Sequence, residues 1–271
     1  MRSMGPENML GNLLLGYLDS MQQLGSEGRS GALFYLTHDN KFFVKTVRKR
    51  EFDLIRKCLA KYHGFLHENP HSLLYRITGL YCILTRSGRN YKQNYLIVMM
   101  NVFSESTPLF TYDLKGSTYG RTSFKKNLQT SSVMKDLDWR KHGMKFDLSP
   151  EQSQLLTRNV EKAAAFLSKL NLIDYSLIVG VSQIKPTKKS GEASKDLNDN
   201  FGSYSEKSPW NFKSRCGKYL YTLAIVDVWT EFSISKRLEH YWKYALFGKG
   251  VSCAPPRDYS NRFVQFLLEQ W

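Results

Sequence analysis

Two hydrophobic periods divide this chain, and the places where one gives way to the other mark its elements. Met9, Leu10, Leu13, Leu14, Tyr17, Leu18 and Met21 recur at spacings of three and four, which predicts an amphipathic helix over 8–23. Its polar side carries no Lys or Arg, which favours a face packed on the following domain over one lying on a membrane. The glycine-rich stretch Gly25 to Gly31 leads into Ala32 to Leu36, a turn signal at His38-Asp39-Asn40, and the apolar run Phe42 to Val47, together reading as a hairpin. Residues 51–61 suit a helix, and Leu80–Leu84 and Tyr95–Met100 are apolar runs of strand length. An N-terminal, mostly antiparallel lobe follows from this order.

The second half begins with a strong helix signal. Ser149-Pro150-Glu151-Gln152 combines an N-cap serine, a proline at the first helical position and a glutamine three residues after the cap. Leu156, Val160, Ala163, Leu167 and Leu170 continue one face of that helix. An apolar strand follows over Leu172 to Gly180, and another over Leu220 to Val226, ending at Asp227. Residues 184–217 between them are rich in Ser, Lys, Gly and Asn and poor in aliphatic residues, which predicts a disordered insertion. Tyr259 to Trp271, with Phe263, Phe266 and Leu267 on one face, predicts a closing helix. No internal repeat is visible.

Composition narrows the classes. The 271 residues include 42% hydrophobic and 14% aromatic, enough for one sizeable core or a pair of lobes, and this excludes collagen-like or wholly disordered chains. No apolar stretch reaches the roughly 18 residues of a membrane span. Residues 9–21 lack the basic start and cleavage site of a signal peptide, so a soluble intracellular protein is expected. Cys58, Cys82, Cys216 and Cys253 are too scattered to suggest a zinc site or a disulfide framework. The formal charge of +15 attracts polyanions: nucleic acid, anionic headgroups or phosphorylated substrates.

A few residues stand out against this background. Gly28 and Gly31 allow backbone N–H groups to approach an anion, although an ordinary hairpin turn needs the same residues. Lys45 is the one charged residue inside Phe42–Val47, and it must either snorkel to water or meet an anion. Asp174 and Asp227 each follow an apolar run directly, where a carboxylate serves as base, metal ligand or simple cap. Glycine-rich turn, strand lysine and two strand-end aspartates, in that order, are the parts of ATP-dependent phosphoryl transfer. The H-R-D, D-F-G and Walker A strings are absent, so this is not an ordinary protein kinase.

Tyr112-Asp113-Leu114-Lys115-Gly116-Ser117-Thr118-Tyr119, Ile173-Asp174-Tyr175-Ser176-Leu177 and Ile225-Val226-Asp227 resemble the phosphatidylinositol phosphate kinases. Gly28 to Gly31, Lys45-Thr46-Val47, Asn101-Val102-Phe103, Lys135-Asp136-Leu137-Asp138 and Tyr259-x-x-Arg262-Phe263 match in the same order. The resemblance implies an α+β, two-lobed atypical lipid-kinase fold with antiparallel sheets and flanking helices. A single kinase domain over 1–271 is expected, its N-lobe about 1–100 and its C-lobe about 101–271.

Carried over by position, the resemblance makes Gly28 and Gly31 part of a phosphate-covering loop and Lys45 the lysine on the ATP phosphates, oriented by Glu51. Lys115 becomes a second lysine near the triphosphate, Met99 to Asn101 the hinge beside adenine, Asp174 the catalytic carboxylate, and Asp227 the magnesium ligand. Asp113 and Ser117 read as turn formers. Lys236, Arg237, Glu239 and Lys243 fall in the family's substrate-selecting loop, where Lys-Arg-Leu-Glu-His resembles the type I enzymes, with Trp242, Tyr244 and Phe247 placed to enter a membrane interface. The alternative for that loop is a solvated helix with its aromatics packed inward and Glu239 paired to Lys243. The implied activity is phosphorylation of phosphatidylinositol 4-phosphate at its 5-hydroxyl, with ATP and Mg2+, at the inner face of the plasma membrane. Asn101-Val102-Phe103 is more like type II and Ile173 more like type III. Other phosphoinositide specificities, or a silent basic membrane- or nucleic-acid-binding module, therefore stay open. A homodimer also stays open, because the family usually carries more sequence ahead of the glycine-rich loop.

Overall fold

The computed structural model describes residues 22–24, 32–87, 90–104, 107–123, 133–184, 208–247 and 253–271. Most of the helix predicted over 8–23 lies outside them, as do Gly28 and Gly31; at its end, Gln22 and Gln23 instead belong to a strand, β1 (Gln22–Leu24). β1 pairs with β2 (Phe34–Leu36), and β2 with β3 (Phe42–Val47), both antiparallel. The turn predicted at His38 to Asn40 joins β2 to β3. Asp39 accepts hydrogen bonds there from the Thr37 hydroxyl (2.7 Å) and the Lys41 N–H (3.1 Å), and Asn40 takes a positive φ of 56°. β4 (Ile77–Ser87) and β5 (Asn90–Met100) complete an antiparallel sheet of order β1-β2-β3-β5-β4. Alternation places Phe42 and Val44 on the buried face with Val98, against Tyr35, Tyr81, Leu96 and Met100.

Contacts divide the chain into two compact units, one running up to Lys57 and including Tyr75–Ser104, the other comprising Cys58–Leu74 and Glu105–Trp271. Residues 58–74 thus depart from the N-lobe expected over about 1–100. The reason is packing. Helix α1 (Lys49–Glu68) extends beyond the predicted 51–61, and in its later turns Tyr62 lies 5.5 Å from the Trp229 ring and Phe65 stacks on Phe166 at 4.3 Å. The Leu73 carbonyl then accepts from Ile225 N–H at 2.8 Å.

The second unit is built on a sheet of order β10-β11-β9-β6-β7. Its strands are β6 (Phe110–Leu114), β7 (Met134–Lys135), β9 (Ser176–Gln183), β10 (Asn211–Lys213) and β11 (Tyr219–Val226), with only β6 and β7 parallel. Strands β8 (Leu172–Ile173) and β12 (Thr230–Glu231) form a separate pair. The helices are α2 (Asp136–Lys141), α3 (Pro150–Lys169), α4 (Ile234–Phe247) and α5 (Pro256–Leu268). The cap predicted for α3 forms in full: Ser149 Oγ accepts Gln152 N–H (3.2 Å), and Gln152 Oε1 accepts Ser149 N–H (2.9 Å). Leu156, Val160, Ala163 and Leu167 are buried along α3, which packs on α5, where Tyr259, Phe263, Phe266 and Leu267 are buried. A second cluster gathers Tyr112, Trp139, Phe146 and Tyr221, with Tyr112 edge-on to Trp139 at 4.9 Å.

The insertion expected over 184–217 is corrected at its C-terminal side. Trp210 and Phe212 are buried, β10 pairs with β11, and Gly217 at a φ of 73° closes the turn between them. Low aliphatic content concealed two aromatic anchors, and about 1.5–3 kcal/mol for burying each such side chain helps order a short polar hairpin. The strand predicted over Leu172 to Gly180 is likewise interrupted. Asp174 has a φ of 66°, which breaks extended backbone and separates β8 from β9.

Candidate active site

In the first unit, Lys45 stands on β3 opposite Phe34 and Ile97, on the parity away from Phe42 and Val44. Its Nζ lies 3.7 Å from Glu51 Oε1 on α1 and 5.5 Å from the Phe34 ring centroid. The predicted Lys45–Glu51 pair is therefore formed. The Lys45 side chain, about one-sixth exposed, is thus held at one side by the carboxylate. Met99 and Met100 close β5, and Asn101 follows, buried. The Asn101 side chain donates to the Asn40 carbonyl (2.8 Å) and accepts from Phe103 N–H (2.9 Å), which fixes the backbone leaving the strand.

In the second unit, strand register gathers the remaining candidates. β9 lies between β11 and β6, pairing Val226 with Ser176 and Leu114 with Leu177. Asp227 follows β11, Lys115 follows β6 and Asp174 precedes β9, so all three leave the sheet at the same end. Asp174 and Asp227 both adopt positive φ, 66° and 56°, conformations that aspartate tolerates better than most residues. Lys115 Nζ donates to the Asp174 carbonyl oxygen (2.6 Å) and lies 3.1 Å from its carboxylate oxygen Oδ1. The adjacent Tyr175 carbonyl accepts the buried Tyr259 hydroxyl of α5. Asp227 is exposed.

Asp113 is a strand residue of β6, not the turn former expected, because it pairs with Ile178 of β9, and Arg121 holds both its carboxylate and its carbonyl. Burial raises the Asp113 pKa, but the charges of Arg121 and Lys115 and the surrounding hydrogen bonds outweigh it, leaving the carboxyl below its ordinary range. Asp136, 1% exposed, accepts from Arg121 Nε (2.6 Å) and from the N–H groups of Lys115 (2.9 Å) and Gly116 (2.7 Å). Asp138 accepts the Thr122 hydroxyl and the N–H groups of Ser123 and Lys135, each at 2.9 Å. Reading residues singly missed this network. Its one signal was the recurrence of acidic residues in Lys135-Asp136-Leu137-Asp138, which periodicity cannot connect to Arg121.

Helix α4 carries Lys236, Arg237, Glu239 and Lys243. Glu239 pairs with Lys236 (2.8 Å) and with Lys243. Burial raises the pKa of Glu239, while the hydrogen bonds and charges of the two lysines bring it below the usual glutamate value. Arg237 lies over the Phe232 ring at 5.8 Å. Ile234, Leu238, Tyr241 and Trp242 are 66–76% exposed, an outward apolar stripe, so Tyr241 and Trp242 do not pack inward. The helix is tied back through His240 Nδ1, 2.7 Å from the Cys253 carbonyl. Phe247 ends the helix, its side chain outside the description.

A sequence model described as phosphatidylinositol-4-phosphate 5-kinase matches residues 15–270. A Plasmodium falciparum protein named phosphatidylinositol 4-phosphate 5-kinase is 34% identical over 98% of this chain and 17% of its own length. Proteins named phosphatidylinositol 4-phosphate 5-kinase type-1 beta, from Gallus gallus and Homo sapiens, are 30% and 31% identical over 90% of this chain and 51% of theirs. The chain thus spans about half or less of the length of these relatives. The similarity runs through both units and through the strand ends that carry Lys115, Asp174 and Asp227, and by it the chain belongs to the phosphatidylinositol-4-phosphate 5-kinase family.

Proposed function

We propose that this chain is a lipid-kinase domain that transfers the γ-phosphate of ATP to the 5-hydroxyl of phosphatidylinositol 4-phosphate, giving phosphatidylinositol 4,5-bisphosphate. The observation that carries the reading is the convergence of Lys115, Asp174 and Asp227 at one end of the β11-β9-β6 strands, with Lys115 on Asp174. Asp174 orients the lipid hydroxyl and accepts its proton. Lys45, held by Glu51, and Lys115 offset charge on the phosphates. Gly28 and Gly31 cover the phosphates, and Met99 to Asn101 border adenine.

Asp227 is the proposed magnesium ligand. Two carboxylates at one sheet end suit a hard cation, which needs only one or two of them together with nucleotide phosphates. Among the described residues no cluster of three His, Cys, Asp or Glu is present. Bound there, magnesium would neutralise charge on the transferring phosphoryl group.

No helix among the described residues is long and apolar enough to cross a membrane. The exposed stripe of α4, flanked by Lys236, Arg237 and Lys243, suits peripheral docking on an anionic leaflet such as the inner face of the plasma membrane, each basic residue contributing about 1 kcal/mol near the surface. Supplying labelled ATP and liposomes that each contain one phosphoinositide tests the function. Label at position 5 of phosphatidylinositol 4-phosphate is expected. Labelling confined to another lipid or position corrects the specificity, and no labelling of any lipid overturns the reading.

A further inference from the structure

We propose that Asp136 is a positioning residue for Asp174, acting through Lys115. The proposal rests on the function read above, in which Asp174 is the catalytic carboxylate. The buried Asp136 carboxylate meets three donors: Lys115 N–H at 2.9 Å, Gly116 N–H at 2.7 Å and Arg121 Nε at 2.6 Å. The same Arg121 reaches through Nη2 to the carbonyl and carboxylate of Asp113. The chain leaving β6 is therefore gripped on both sides of Leu114. From that held backbone, the 14%-exposed Lys115 side chain contacts both the carbonyl and the carboxylate of Asp174.

A third surface stops the loop from relaxing. Gly116 has a φ of 68°, and a Cβ placed there would lie 2.9 Å from Phe266 Cβ and 3.1 Å from the Arg262 carbonyl of α5. The loop is boxed between a carboxylate and a helix, so loosening the carboxylate lets Lys115 drift from its target. A displacement of about 1 Å near reacting groups can lower turnover by as much as roughly 100-fold, and a smaller shift by correspondingly less. Arg121 supports the same clamp from its other side, offsetting both Asp113 and Asp136.

The test is a double-mutant cycle with ATP and phosphoinositide liposomes, on Asp136→Asn, Lys115→Met and the double variant, with Asp174→Asn as reference and thermal melting of each. Asp136→Asn keeps an acceptor oxygen for the two N–H groups and loses the charge facing Arg121. It is expected to lower kcat about tenfold with KM for ATP within about twofold, and to cause no further loss in the Lys115→Met background. Should Asp136→Asn not fold, Arg121→Gln opens the clamp from the other side and enters the same cycle with the same expectation. Losses that add in the double variant make Asp136 a support of the fold alone, overturning this proposal and leaving the function intact. Wild-type turnover by Asp174→Asn removes Asp174 from the catalytic role and overturns this proposal, whereas absence of lipid labelling by the unmodified protein overturns the function on which it rests.

Discussion

Lys45, proposed to meet the ATP phosphates, occupies its strand position at little cost to the fold. Its pair with Glu51, at 3.7 Å and partly exposed, contributes no more than about 1 kcal/mol. Lys45→Met is therefore expected to leave melting nearly unchanged while turnover falls at least about 100-fold, because the cation proposed to meet the phosphates is gone. Near-normal turnover in a kinetic assay would remove Lys45 from that role. Glu239 is engaged by Lys236 and Lys243, so the helical pairing weighed against a selective role is present. Both uses are compatible, since a glutamate held between two lysines sets how much positive charge α4 offers a phosphate. Glu239→Ala is expected to raise the rate on phosphatidylinositol 5-phosphate relative to phosphatidylinositol 4-phosphate by about tenfold, a change of about 1.4 kcal/mol between transition states. Assaying both lipids at equal surface density measures it; an unchanged ratio leaves Glu239 a helix-pairing residue only.

At the scale of elements, α4 is the segment whose sequence and environment disagree most. A helix with Leu238, Tyr241 and Trp242 in water gains little from packing, and its formation leans on local pairs and on the His240 contact to Cys253. Glu239 has a folded pKa below its ordinary 4.5, so its pairing stabilises α4 fully above that value and is lost as pH falls through the lower, folded value. Hydrogen exchange of α4 amides is thus expected to accelerate, after correction for intrinsic rates, as pH drops below 4.5, and Glu239→Gln removes that added acceleration. Equal acceleration in the variant would assign the effect to other carboxylates. α3 is the opposite case: a full capping box and an apolar face in contact with α5 make it independent of such pairs.

For the whole molecule, the charge of +15 acts at a distance. Association with anionic liposomes is expected to weaken steeply as the Debye length falls from about 10 Å at 0.1 M salt to about 3 Å at 1 M. Apolar insertion by α4 leaves a residual, salt-resistant fraction that Leu238→Ser with Trp242→Ser abolishes. Co-sedimentation across a salt series separates the two contributions; binding that ignores salt, or a residual fraction unchanged in the double variant, contradicts this account.

Local patterns determined much by themselves. The Ser149 to Gln152 signal and the apolar face after it specify α3, because a cap and a 3.6-residue period act within a few residues of chain. Lys45, Asp174 and Asp227 were legible as candidates because a charge beside an apolar run is conspicuous, and Glu51 only through the family resemblance. Three matters were decided by tertiary structure alone. Residues 58–74 joined the second unit through rings such as Phe65 on Phe166, and 208–217 became ordered by burying Trp210 and Phe212. Asp136 came to grip Lys115 from 21 residues away in the chain. Each depends on partners distant in sequence, whose approach is set by strand register and burial, and no short window of the chain contains both members of the pair.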